Sequence, residues 1–273
     1  MRTTSNPAFR NLPRQGGYAG FQNQAPPQGY PAGYPQGYQQ GYAPPTTGER
    51  PITVDDVVTK TGITLGVTLV VGVISAILVL GGSTTPYPLM ITGMLVGLVL
   101  SLVIIFKQST NPALVLSYAA AEGLFLGALT GVFERLVPGI ALQAIIGTAM
   151  VFIGMLVVYK TGAVKVTPKL TKWIIGATVG VAGLLLVNLL LNVFGVHTGM
   201  RELSPTPLNI GISLLIIGLA AFNFLLDFDM ADQAIRAGMP AKFAWYVAFG
   251  LMVTLVWLYL EIIRLLYMLQ SSD

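Results

Sequence analysis

The sequence predicts an all-α polytopic membrane protein, a seven-transmembrane-helix bundle behind a disordered N-terminal tail. Three observations carry that prediction. Apolar runs close to the ~20 residues needed to cross a bilayer recur seven times. The chain is 54% hydrophobic and 10% charged with a mean hydropathy of +0.72, well beyond what a soluble core of 273 residues requires. Its basic residues also gather at every second connection between these runs, on one side of the membrane.

The tail comes first, residues 1–55. "GYPAGYPQGYQQGY" sets Gly-Tyr pairs every four residues, from Gly29-Tyr30 to Gly41-Tyr42, among Pro and Gln. With no apolar stripe to bury, the entropy of ordering prevails and the segment reads as disordered. It contains no apolar stretch of the kind a cleavable signal peptide needs. As a tail it reads as a solvated tether or as a docking segment.

The second region, 56–273, holds the spans: Gly62–Gly81, Tyr87–Phe106, Pro112–Phe133, Pro138–Tyr159, Trp173–Phe194, Pro207–Phe228 and Phe243–Leu269. Proline lies near most boundaries, where its missing N–H costs little in a first helical turn. Basic residues then set the orientation. With the tail cytoplasmic, twelve Lys and Arg fall inside, from Arg2 through Lys107 and the Lys160–Lys172 loop to Arg236 and Lys242. Only Arg135 and Arg201 fall outside, and Arg264 lies within the last span. This predicts a multi-pass membrane protein, N-terminus cytoplasmic and C-terminus outside. The expected partner is the lipid bilayer rather than nucleic acid.

Small residues at helical spacing mark the faces where spans pack: Gly93 and Gly97, then Gly123, Gly127 and Gly131, then Gly176, Gly180 and Gly183. Lipid gives helices little hydrophobic drive to associate, so close backbone approach supplies the contact. Asn188, Asn192 and Asn223 read as interhelical hydrogen-bonding groups.

The charged residues inside the spans are few. Glu122 lies mid-depth in "AAAEGLFLG", Asp227 and Asp229 close the sixth span in "LLDFDMADQ", and Glu261 and Arg264 share "WLYLEIIRLL". A carboxylate at a helix centre costs roughly 2.5–3.5 kcal/mol on insertion scales, so an intramembrane acid is a functional candidate by default. Asp232, with Arg236 at i+4, reads as a solvated ion pair, and Glu261 with Arg264 at i+3 as a possible intrahelical one. In a simple antiparallel hairpin turning at Gly238–Pro240, Asp229 and Glu261 lie about 18 Å apart in depth. Glu122 and Arg264 are therefore alternative partners for either.

Several activities are excluded. The absence of cysteine removes disulfides, thiol nucleophiles and thiolate metal sites. The single histidine, His197, rules out an H-E-x-x-H zinc protease and sits in a loop, away from any intramembrane serine. The last span has no lysine for a retinal Schiff base. No enzyme and no resident cofactor are expected.

"AEGLFLG" in the third span, "LLDFD" closing the sixth and "LYLEIIRLL" near the C-terminus resemble the transmembrane Bax inhibitor motif family, in its bacterial YccA-like form. "VDDVVTKTG" and "WYVAFGLMVTLVWLYLE" are similar to its actinobacterial branch, which implies a bacterial plasma membrane. The resemblance runs from about Val54 to Leu269 and implies a calcium leak gated by pH through an acid pair. Carried over, one member falls on Asp227 or Asp229 and the other on Glu261, where the family more often has Asp; the third-span glutamate falls on Glu122. Two acids sharing a proton titrate as a coupled pair, a switch that needs no histidine. Calcium at Asp227, Asp229 and Glu261 follows from the same resemblance, since hard cations take oxygen ligands. The resemblance also implies the rival reading, a non-conducting regulator that binds a membrane-bound protease or a stress-response complex.

Overall fold

The computed structural model describes residues 49–195 and 202–271. The tail reading for residues 1–48, and His197 and Arg201, lie outside the described residues. Seven helices follow in order: α1 Val54–Leu80, α2 Pro86–Lys107, α3 Pro112–Leu136, α4 Ile140–Thr161, α5 Pro168–Val193, α6 Pro207–Arg236 and α7 Phe243–Gln270. Each is long and apolar enough to cross a membrane. Among the described residues the only β feature is one antiparallel bridge, Pro51 to Pro240. Proline opens α2, α3, α5 and α6, as its fixed φ favours.

Two helices overrun their predicted spans by eight residues each. α1 starts at Val54, eight residues before Gly62, because Thr53 and Asp56 form a capping box. Asp56 Oδ2 accepts from the Thr53 N–H at 3.1 Å, and Thr53 Oγ1 accepts from the Asp56 N–H at 3.3 Å. α6 runs on to Arg236, so Asp227, Asp229 and Asp232 all lie on helix. Their side chains therefore point from fixed angular positions.

Ahead of α1, residues 49–53 are fastened to the α6–α7 turn. The Ile52 N–H donates to the Met239 carbonyl at 2.8 Å, and the Ala241 N–H to the Arg50 carbonyl at 3.0 Å. Lys60 Nζ donates to the Ala241 carbonyl. The Arg50 guanidinium grips Asp56 with two bonds of 2.7 Å. That bond holds the Arg50 guanidinium above its ordinary pKa, so the grip is charged at every physiological pH.

Helix α7 is the centre of the bundle: α1, α3, α4 and α6 all pack on it. α1 and α3 make the most extensive contact, through glycine. A Cβ at Gly127 would stand 2.1 Å from the Gly72 carbonyl oxygen, and one at Gly123 2.6 Å from that of Thr68. Gly93 likewise lets α2 approach α3, its Cβ position lying 2.7 Å from the Ala121 oxygen. The expectation fails for α5. Among the described residues nothing lies within 4 Å of a Cβ at Gly176, Gly180 or Gly183, so these glycines seat no described neighbour. α5 leans chiefly on α6, where Asn223 Nδ2 donates to Thr178 Oγ1 at 2.9 Å. Asn192 Nδ2 donates along its own helix, to the carbonyl and side-chain oxygens of Asn188.

Candidate functional site

The intramembrane acids fall at separate places in the bundle. Asp227 turns toward α7, where its Oδ2 lies 2.6 Å from Thr254 Oγ1. The Thr254 hydroxyl also lies 3.4 Å from the Gly250 carbonyl of its own helix. Gly250 lies beside the acid, the position of a Cβ there being 3.9 Å from Asp227 Oδ1. Among the described residues no Lys or Arg forms an ion pair with Asp227. Phe224 and Phe228, one turn apart and stacked, continue the same helix into the apolar core beside Phe152.

The other two aspartates leave this interface. Asp229 Oδ2 accepts from Gln233 Nε2 at 2.6 Å, one turn on along α6. Asp232 pairs with Arg236 at 2.7 Å and accepts from the Tyr159 hydroxyl of α4 at 3.4 Å. Asp227 and Asp229 are two residues apart on a helix, which aims them at different neighbours.

Glu122 belongs to another interface. It faces α2, where its Oε1 lies 3.0 Å from the Cβ position of Gly97. Tyr118, one turn earlier on α3, packs edge-on against Phe249 of α7 at 4.9 Å between ring centroids. Glu122 thus fills the space that Gly97 leaves.

Glu261 and Arg264 are buried in α7, at 2% and 7% exposure. Arg264 Nη2 donates to the Glu202 carbonyl at 3.2 Å, reaching the segment that precedes α6. Thr254, level with Asp227, lies seven residues before Glu261, about 10 Å along the axis. The three residues named for calcium, Asp227, Asp229 and Glu261, are therefore spread along the bundle. Among the described residues no three acidic or histidine side chains gather as a metal-holding group.

Thr254 is the site residue that sequence reasoning missed. Its one signal is a lone hydroxyl in the apolar run "FGLMVTLVW". Nothing in a single sequence ties it to an acid 27 positions earlier.

The Asp227–Thr254 contact can form one hydrogen bond in either protonation state of the acid. With the carboxylate ionised, Thr254 donates to it. With the acid protonated, the acid donates to Thr254, which turns its own proton to the Gly250 carbonyl.

Neither the curated proteins nor the solved structures give a match. The family model described as Bax inhibitor 1 like matches residues 6–271, which takes in all seven helices. The chain is therefore a multi-pass membrane protein belonging to the Bax inhibitor 1-like family.

Proposed function

We propose that the protein is a pH-sensitive calcium or cation leak pathway of a bacterial plasma membrane, with Asp227 as its proton-operated switch. The observation that supports this most is a carboxylate set between two membrane-spanning helices against a neutral hydroxyl, without a cationic partner among the described residues. Intramembrane acids of that kind mark ion paths and proton relays. The neutral acid fits the closed α6–α7 contact. Ionised, it is better served by water than by one hydroxyl in an apolar interface, so charging favours a parted, hydrated arrangement. Flux then rises with pH. Glu122 and Glu261 are further ion or proton acceptors on the way across.

The orientation that goes with this reading puts the N-terminus inside. The ends that carry Lys60, Lys107, Lys160 to Lys172, Arg236 and Lys242 hold most of the charge, and the opposite ends hold Arg135.

One observation favours the rival, a non-conducting regulator bound to a membrane protease: the cavity bordered by α1, α3, α4 and α7 is lined by apolar side chains and a few hydroxyls, with none of the four acids among them. Purified protein alone in calcium-loaded liposomes separates the two. A leak expected of the channel rises between acidic and mildly alkaline buffer; liposomes that hold their calcium at both pH values leave the regulator.

A further inference from the structure

Helices α1 and α4 stand on either side of a seam, both packed on α7 and sharing no extensive contact with each other. Between them lies a cavity of ≈ 380 Å³. Leu69 and Val73 of α1 and Ile145 of α4 border it, and these are 54%, 55% and 43% exposed. The cavity thus opens sideways on the bundle, at mid-helix, in the zone that the hydrocarbon of the membrane surrounds.

Its lining is apolar and offers water or a polar ligand no free hydroxyl donor. The hydroxyls in its lining belong to Thr68, Thr130, Thr148 and Tyr259. Thr68 donates to helix carbonyls at Thr64 and Ala119, Thr148 to Ala144 and Thr130 to Leu126. Tyr259 lies 2.8 Å from Thr130 Oγ1, which leaves its proton to that oxygen. Every donor is already in use, and a buried water needs two to four polar partners. The volume lies in the range of ligand sites, ~300–1,000 Å³.

Its length names the occupant. The α1 wall runs from Leu65 to Ile77, about 18 Å at 1.5 Å per residue. One leaflet of a ~30 Å hydrocarbon core is ~15 Å deep. Two residues past Ile77, Arg135 of α3 donates to the Val79 carbonyl and remains exposed. A chain lying in the seam would emerge beside that guanidinium, where a phosphate finds a charge-assisted donor.

We propose that the α1–α4 seam is a binding site for one acyl chain of a phospholipid. The lipid comes from the leaflet at the C-terminal end of α1 and sets its phosphate at Arg135. This site is separate from the Asp227 switch and does not depend on it.

The test uses the full chain in vesicles of palmitoyl-oleoyl phosphatidylglycerol, extracted into detergent and read by native mass spectrometry. One retained phospholipid per chain is expected. Ala149→Trp fills the seam from α4 and is expected to lower retention about tenfold or more, since several buried methylenes are displaced. Val157→Trp, on the exposed face of the same helix, leaves retention unchanged, and Arg135→Gln weakens it. No retained lipid, a free fatty acid in its place, or equal loss in Ala149→Trp and Val157→Trp overturns the proposal. Should the filled variant misfold, the unaltered protein still decides. A phosphatidylglycerol with a photoreactive tail should crosslink within 65–77 and 141–152, and even labelling around the bundle sinks the idea.

Discussion

Asp56 and Asp227 are aspartates on helices of one bundle, and their surroundings could hardly differ more. Asp56, at the start of α1, is 8% exposed and holds two bonds from Arg50, with Lys60 Nζ 3.8 Å away and Thr53 completing its cap. Asp227, late in α6, has the hydroxyl of Thr254. A carboxylate compensated by fixed cations and backbone donors has one stable charge state and serves as a fixture. A carboxylate given a neutral, reversible partner has two. Placement beside Gly250 and the aromatic packing at Phe228 then tie the choice of state to the fit of α6 on α7. The contrast identifies which acid is built to change.

The largest expected effect breaks the comparison directly. Asp227→Asn keeps the shape and one charge state, so calcium flux from proteoliposomes should lose its pH dependence and stay at the low-pH level. Asp56→Asn should leave the pH response in place and lower the thermal midpoint of unfolding, because Arg50 and Lys60 lose their shared anion. If the two phenotypes are exchanged, Asp227 is the fixture. If neutralising Glu122, Asp227, Asp229 and Glu261 together leaves flux and pH response intact, the channel reading gives way to the regulator.

Next in size is the partner. Thr254→Val removes the hydroxyl at nearly constant volume and leaves the acid without its donor. The pH midpoint of flux should move, and Asp227→Asn combined with Thr254→Val should depart from additivity by ~0.5–3 kcal/mol, as touching residues do. Additive behaviour in that cycle would mean the 2.6 Å contact carries no coupling. Glu261→Gln, about 10 Å further along α7, should add independently to Asp227→Asn.

Much of this architecture is legible in the sequence because hydropathy and proline report on it locally. Seven apolar runs gave seven helices, and Pro86, Pro112, Pro168 and Pro207 each open one. The ends are less legible where a helix outlasts its apolar run. α1 begins on the capping pair Thr53 and Asp56, and α6 continues through Asp229 and Asp232 on a polar face that hydropathy reads as loop. Glycine spacing looks alike in α3 and α5, yet only α3 has a helix, α1, seated in its grooves. Spacing records the capacity for close approach, and the partner is decided by the whole bundle. The acids were visible as candidates one by one. Their sorting into Asp227 on α7, Glu122 on α2 and Glu261 buried along α7 beyond Thr254 depends on helix rotation, which a run of apolar residues on all sides leaves unspecified.

A smaller effect sharpens the fixture side. Arg50→Ala leaves Asp56 with Thr53 and Lys60, so the segment ahead of α1 should loosen from the α6–α7 turn. The amides of Ile52 and Ala241, which cross that seam, should exchange with deuterium several-fold faster, while amides at the centre of α7 keep their protection. Unchanged exchange at both would show that the backbone bridge at Pro51 and Pro240 holds without the arginine.

The smallest effect is expected at Asp232, which stands between the two cases. It has a cation, Arg236 one turn on, as Asp56 has, but that arginine's side chain is 77% exposed and its own 37%. Exposed pairs at this spacing are worth ~0.3–0.5 kcal/mol because water screens them and both side chains lose freedom. Asp232→Asn should therefore shift stability by no more than about that amount, keep a bond from Tyr159 through the amide oxygen, and leave the pH response of flux untouched. Thermal unfolding and flux on the same preparation check both halves. A pH response that vanishes in Asp232→Asn would move the switch from the α6–α7 interface to the α4–α6 edge, and charge compensation would then no longer tell a fixture from a switch in this protein.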